Sequence, residues 1–217
     1  VGGGDLVEFT SSGEKEVDNF SHTEMSGTPI SELVIAEGET VLKDGANVTV
    51  KLVMREGSFL TAEKTGYGGG FESGNYVGSC ELQVWQGNTK ITDYALEGEA
   101  TGDMVYSFTG FSLEFDDYNN DGDPDFTVGQ YGGSNAQMYS LFTLSEDAAI
   151  RMISAPYGIF STDGKTNGYY STLLTKAQNG FVVPIYNNTI GKTVQVNYVW
   201  DETSGQFLQK ETNTILT

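Results

Sequence analysis

The chain of 217 residues is 38% hydrophobic, enough for one all-β domain with a buried core or for two small ones. Its formal net charge of −19 repels the phosphates of nucleic acids and anionic lipids, which argues against nucleic-acid binding and peripheral membrane binding. No apolar run approaches the roughly 20 residues that span a bilayer, and a single cysteine, Cys80, leaves no internal disulfide.

Residues 1–28 are rich in glycine, serine and acidic residues, and they predict a flexible leader. The only histidine, His22, lies in this leader, so a Ser-His-Asp site or a histidine-bound zinc site lacks a partner elsewhere. The chain does not begin with methionine. We therefore expect an export signal or lipid-anchor segment to have been removed, as in a bacterial secreted protein or lipoprotein of the cell surface.

Residues 29–217 predict one all-β domain, with a possible subdomain break near residue 160. Abundant glycine (28 residues), scarce proline (4) and frequent Tyr and Phe (12 each) suit short strands joined by glycine turns. The strand patterns in the first half cover 47–54, 81–85, 89–96 and 104–115. The turn at 86–88 predicts that the second and third of these form a hairpin.

The strand patterns in the second half cover 126–131, 137–144, 181–186, 193–200 and 206–210. The first two are expected to join through a turn, and the last two to form a closing hairpin. Pro184 predicts an edge strand or a bulge, and residues 169–180 predict a short helix ended by Gly180. We expect about 12 to 15 short antiparallel strands in a small or incomplete propeller-like or sandwich architecture, with at most one short helix.

The acidic loop, residues 117–125, reads DYNNDGDPD and fits the pattern D-x-N-x-D-G-x-x-D. Calcium takes six to eight oxygen ligands at about 2.3–2.6 Å, and oxygens at alternate positions of a tight turn converge on one point. The predicted calcium ligands are Asp117, Asn119, Asp121, the carbonyl of Asp123, and Asp125. Gly122 allows the sharp turn. A solvated acidic turn and a site for another divalent ion are the alternative interpretations.

Residues 117–130, DYNNDGDPDFTVGQ, resemble the calcium-binding loop of FG-GAP (integrin α-propeller-like) and related bacterial VCBS-type repeats. Those repeats pass from the same loop pattern into an apolar strand that ends in a Val-Gly pair, as Val128-Gly129 does here. The resemblance covers about residues 117–144 and implies a loop between two strands with a structural Ca²⁺ ion. The family normally repeats this unit, and this chain contains it once.

The function expected from these features is a calcium-stabilised, non-catalytic surface module that binds a protein or a glycan. Flat aromatic rings with polar tips suit both kinds of ligand. The candidate ligand-binding tyrosines are Tyr67, Tyr76, Tyr131, Tyr169 and Tyr170. Two alternatives stay open: an inhibitor or immunity-type lipoprotein directed against a cell-wall hydrolase, and a glycoside hydrolase that uses paired carboxylates.

Overall fold

The computed structural model describes residues 27–61, 74–98, 102–133, 136–162 and 170–215, which include almost nothing of the predicted leader. Within these ranges the chain forms fifteen strands and no helix, so no helix there could cross a membrane. The strands are β1 (Thr28–Val41), β2 (Asn47–Leu60), β3 (Asn75–Gln86), β4 (Thr89–Leu96), β5 (Met104–Tyr106), β6 (Phe111–Ser112), β7 (Phe115–Asp116), β8 (Asp125–Gly133), β9 (Ala136–Leu144), β10 (Ile150–Met152), β11 (Ile159–Ser161), β12 (Thr175–Ala177), β13 (Gly180–Asn187), β14 (Lys192–Asp201) and β15 (Gln206–Ile215).

The strands form three sheets that follow one another along the chain. Sheet one has the order β4-β3-β2-β1-β6, with β5 paired to β3. Sheet two has the order β10-β9-β8-β7, with β11 paired to β9, and sheet three is β12-β13-β14-β15. All these pairs are antiparallel except the short pair between β1 and β6. The predicted all-β class is therefore confirmed.

Both predicted hairpins are confirmed. Strands β3 and β4 pair antiparallel around the two residues Gly87 and Asn88, and Gly87 adopts the positive φ of 57° that a tight hairpin turn requires. Strands β14 and β15 pair in the same manner and close the third sheet. The local turn chemistry was enough to predict these elements, because the paired strands are neighbours in sequence.

The predicted strand 104–115 is wrong, because the structure divides it into β5, β6 and β7. Gly110 breaks the strand with a φ of 81°, and its backbone N–H donates to the carbonyl of Ile35 at 2.7 Å. Phe111 then pairs with Ala36 of β1 before the chain enters sheet two at β7. The sequence of this segment does alternate between apolar and polar residues, but β5 and β6 belong to sheet one and β7 belongs to sheet two.

The predicted helix at 169–180 is also wrong over its described part, 170–180, which is extended and contains β12. Its backbone groups bond to distant residues instead of to each other. The carbonyl of Tyr170 accepts from Gly129 N–H at 2.8 Å, and Thr172 N–H donates to the Thr127 hydroxyl at 2.8 Å. These bonds to β8 replace the bonds between successive turns that a helix needs.

Pro184 lies inside β13, which pairs with β14 along its length. On its other side β13 pairs with β12 only as far as Val182, so β12 ends before it reaches the proline. Strand β13 is therefore internal to sheet three, but at Pro184 it has no paired neighbour on the β12 side. Proline has no N–H to donate to such a neighbour.

Sheet two contributes to two hydrophobic cores. Phe142 and Leu144 of β9 belong to the core shared with sheet one, while Tyr139 and Leu141 belong to the core shared with sheet three. All four side chains are at most 3% exposed. Because side chains alternate along a strand, β9 is buried on both faces. Sheet two is therefore the middle layer, and the chain beyond residue 170 shares its core with residues 118–159.

Gly129 of β8 lies opposite Tyr139 of β9 and has no room for a side chain. A Cβ atom there would come within 2.6 Å of two carbons of the Tyr139 ring. We expect Gly129→Ala to lower the free energy of unfolding by about 1–3 kcal/mol, measured by urea denaturation. Ser79→Ala, at an exposed position of β3, is the control and should stay within about 0.5 kcal/mol. Equal denaturation midpoints for the two variants would contradict the packing described here.

Candidate metal centre

The acidic loop connects β7 to β8, and the pairing of Asp116 with Asp125 closes its two ends. Two of its residues have positive φ, Asn120 at 61° and Gly122 at 89°. Glycine adopts this conformation without strain, so Gly122 is suited to the sharp turn that the sequence predicts. The resulting turn brings the polar side chains of the first half of the loop back onto its own backbone.

Three of the predicted ligands bind N–H groups within the loop. Asp117 accepts from the N–H of Asp121 at 3.2 Å through Oδ1 and from that of Gly122 at 2.9 Å through Oδ2. Asn119 Oδ1 accepts from Asp121 N–H at 3.3 Å, and Asp121 Oδ1 accepts from Asp123 N–H at 2.8 Å. The oxygens of Asp117, Asn119 and Asp121 therefore face the inside of one turn.

Asp125, the carboxylate at the end of the loop, is fully buried at the start of β8. Its Oδ2 accepts from Tyr118 N–H at 2.9 Å, whereas its Oδ1 has no hydrogen bond of normal geometry. Burial raises the pKa of Asp125 to about 7, and the Tyr118 N–H and the side chain of Thr143 across the strand pair oppose this rise only in part. A buried carboxylate in this situation is stabilised by a proton or by a cation.

Asp123 adds a second buried oxygen without a partner, its Oδ1. The pKa of Asp123 is raised, first by burial and then by the neighbouring charge of Asp121. Buried polar atoms are nearly always satisfied in folded proteins, so two unsatisfied carboxylate oxygens in one short loop call for an explanation.

The acidic loop and Asp116, the residue before it, are together anchored to all three sheets. Lys43, in the turn after β1, donates to the backbone carbonyl of Asp121 at 2.5 Å. Leu144 at the end of β9 donates its N–H to the Pro124 carbonyl at 3.0 Å, and Lys176 of β12 forms an ion pair with Asp116 at 3.0 Å. The position of the loop is therefore determined by residues that lie far apart in sequence.

Tyr118 has a structural role that the sequence analysis did not predict. It is the second residue of the acidic loop, yet its side chain is only 1% exposed and lies in the core between sheets two and three. Its ring packs against Phe181 with centroids 5.5 Å apart, and its hydroxyl accepts from the N–H of Leu174 at 2.9 Å. A large aromatic residue among acidic ones was the available signal.

In the part of the chain that the structure describes, no group of three or more His, Cys, Asp or Glu side chains is arranged to hold a metal. The predicted ligand set is mixed, because besides carboxylates it includes the amide oxygen of Asn119 and the backbone carbonyl of Asp123. Calcium accepts such oxygens alongside carboxylates. A cation in the acidic loop would bind carboxylates, those of Asp117 and Asp121, that already accept hydrogen bonds from backbone N–H groups.

The three described candidate ligand-binding tyrosines do not form one surface patch. Tyr67 and Tyr169 lie outside the described residues, and Tyr76 is half-buried with its ring 4.9 Å from that of Phe59. Tyr131 is half-buried near the end of β8. Tyr170 was predicted to bind a ligand, but it is a core residue. Its side chain is 1% exposed, and its hydroxyl accepts from the Ser107 N–H at 2.9 Å.

Comparisons with known proteins found no match to a protein-family model, a curated protein or a solved structure. The resemblance of residues 117–144 to FG-GAP and VCBS-type repeats is therefore carried by the residues of the loop and of the following strands alone. Its implications for the metal and for function are proposals.

Proposed function

We propose that the acidic loop binds one structural calcium ion, and that the protein is a calcium-stabilised, non-catalytic binding module for a protein or a glycan. The observation that carries this proposal is the fully buried carboxylate of Asp125, whose Oδ1 has no hydrogen bond of normal geometry, in a turn lined by further oxygens. Leaving such groups without a partner is costly, and a hard divalent cation would remove this cost.

The proposed ligands are Asp117, Asn119, Asp121, the carbonyl of Asp123, and Asp125. A carboxylate offers about four lone-pair positions. Asp117 can therefore keep its bonds to the N–H groups of Asp121 and Gly122 and still bind an ion. Water would complete the six to eight oxygens that calcium takes, whereas magnesium demands a smaller and more regular octahedron.

The proposed role of the ion is structural. The loop contacts Lys43 near sheet one and Leu144 in sheet two, and Asp116, the residue before the loop, pairs with Lys176 in sheet three. A cation that neutralises the loop carboxylates would lower their mutual repulsion and hold this junction together. Neighbouring Lys43 binds a backbone carbonyl of the loop, and its positive charge opposes the burial that raises the pKa of Asp123.

Kinship with the FG-GAP and VCBS-type repeats is part of the proposal. In those repeats the loop lies between two strands, as it does here between β7 and β8. We place the protein outside the cytoplasm, at the cell surface or secreted, where weak calcium sites of extracellular modules are filled. A lipid anchor in a precursor would keep such a module on the surface.

Two cavities lack the paired carboxylates of a glycoside hydrolase among their described lining residues. One lies between sheets one and two, has a volume of about 340 Å³ and includes a single carboxylate residue, Glu97. The other, a groove at the end of the β8–β9 hairpin, has no charged residue in its described lining. A glycoside hydrolase needs two carboxyl groups about 5–10 Å apart across the scissile bond. Carboxylates do line a third, open pocket beside the acidic loop, formed in part by Asp44, Asp123, Glu146 and Asp147.

Calcium is expected to raise the melting temperature of the protein relative to a buffer with chelator. A ligand that binds only the native state at about 100 times its Kd adds about 2.7 kcal/mol of stability. Calorimetric titration with calcium should give one binding site per chain, and magnesium at the same concentration is the control. Equal melting temperatures in calcium and in chelator, together with no heat of binding, would overturn the proposal.

A further inference from the structure

An open groove of about 700 Å³ lies where sheets two and three meet. Its walls come from the end of the β8–β9 hairpin, from the end of β11 and from the β13–β14 hairpin. The lining residues are Gly132, Gly133, Ala136, Phe160, Thr162, Tyr186, Asn188 and Thr193. At about 3.3 Å per residue, the length of β8 places the groove roughly 25 Å from the acidic loop.

We infer that this groove is the ligand site of the proposed binding module, and that it takes a neutral saccharide. The first reason is charge. The chain has 30 acidic and 11 basic residues, yet none of the eight described residues that line the groove is charged. A site for a cation, a phosphate or an acidic sugar needs charged groups of the opposite sign.

The second reason is the presence of aromatic rings. Tyr186 of β13 is 48% exposed, and Phe160 of β11, which also lines the groove, is half-buried. An exposed aromatic ring gains from covering its apolar face, and the C–H face of a sugar is flat and weakly polar. Two rings within one groove offer such a surface, while the phenol of Tyr186 supplies a polar tip.

The third reason is the kind of polar group beside the rings. Thr193 lies directly opposite Tyr186 in the β13–β14 pair, and Asn188 follows at the start of the turn. Thr162 accepts from the Tyr186 N–H at 2.7 Å. Hydroxyl and amide groups both donate and accept, which matches the hydroxyl groups of a sugar.

The groove is also preformed by backbone bonds. Strand β13 pairs with β14 up to Asn187 and Lys192, which fixes Tyr186 and Thr193 side by side. Thr162 N–H donates to the Pro184 carbonyl at 3.3 Å and joins the end of β11 to β13. The volume of the groove lies within the 300–1,000 Å³ typical of small-ligand sites. A preformed site loses less conformational entropy when a ligand binds than a flexible site does.

The test is affinity electrophoresis of the full chain in calcium buffer, through gels that contain mannan, xylan or a mixed-linkage β-glucan. Alginate, which is acidic, is the charged probe. At least one neutral polysaccharide is expected to retard the protein, and alginate is not. Tyr186→Ala should weaken this retardation about tenfold or more, whereas Tyr186→Phe keeps most of it, because the ring carries the contact.

Thr193→Val tests the hydrogen-bonding part, because valine has nearly the shape of threonine without its hydroxyl. It should weaken retardation by about three- to tenfold, in line with the loss of one net hydrogen bond. Ile91→Ala removes an exposed hydrophobic side chain from β4 in sheet one and should change nothing. Retardation by none of the neutral polysaccharides, or retardation that survives combined Tyr186→Ala and Thr193→Val, would overturn the inference.

The inference rests on the proposed function, but the two can fail separately. All four groove and control variants should keep the calcium-dependent rise in melting temperature, since β8 separates the groove from the acidic loop. A rise in melting temperature with calcium but no saccharide binding would contradict only the saccharide site. Saccharide binding without a rise in melting temperature would contradict the calcium site and support the saccharide site.

Discussion

Replacing Asp125 with asparagine is expected to abolish most of the calcium-dependent stabilisation without unfolding the protein. Asparagine has the same size, and its oxygen can still accept the Tyr118 N–H, but it brings no charge. The loss should approach the whole ligand contribution, about 2.7–4.1 kcal/mol at calcium concentrations 100–1,000 times Kd. Urea denaturation with calcium and with chelator measures the difference.

The same substitution should behave differently in chelator. There the native protein buries a carboxylate with an unpartnered oxygen, so the neutral amide is expected to leave stability unchanged or to increase it. Asp93→Asn, an exposed position on β4, removes the same charge far from the loop and should keep the calcium response. An Asp125→Asn protein that calcium stabilises as strongly as the wild type would rule out Asp125 as a ligand.

Tyr118→Ala is expected to cost about 3–5 kcal/mol of unfolding free energy, because it empties a large aromatic site in the core between sheets two and three. Tyr118→Phe keeps the ring but leaves the buried N–H of Leu174 without its acceptor, a loss of about 1–3 kcal/mol. Urea denaturation in calcium buffer measures both values.

The matched control is Tyr186→Phe, which removes the same hydroxyl from an exposed tyrosine and should stay within about 0.5 kcal/mol of the wild type. If Tyr118→Phe were as stable as this control, the bond to Leu174 would not contribute to the fold. Tyr118→Phe is the informative variant if Tyr118→Ala fails to fold.

Tyr118 also couples the acidic loop to the third sheet. Its backbone N–H binds Asp125, and its hydroxyl binds the backbone before β12. A cation that orders the loop would therefore also favour the position of the ring in the core. This coupling gives a physical reason for a structural metal at a loop whose second residue is aromatic.

The sequence by itself determined the elements that depend on near neighbours. Alternating side chains and a glycine turn predicted the hairpin of β3 and β4, and the closing hairpin of β14 and β15 followed in the same way. The spacing of Asp117, Asn119 and Asp121 around Gly122 predicted a tight turn, since the bonds that these three side chains accept from its backbone span at most five residues.

Only the tertiary structure decided the elements whose partners are distant. Gly110 ends a strand because the Ile35 carbonyl takes its N–H, and residues 170–174 are extended because β8 and Tyr118 take their backbone bonds. Tyr170 is buried for the same kind of reason, with its hydroxyl bonded 63 residues away. The sequence pattern of a strand predicts which of its faces is apolar, but it does not predict which other element packs on that face.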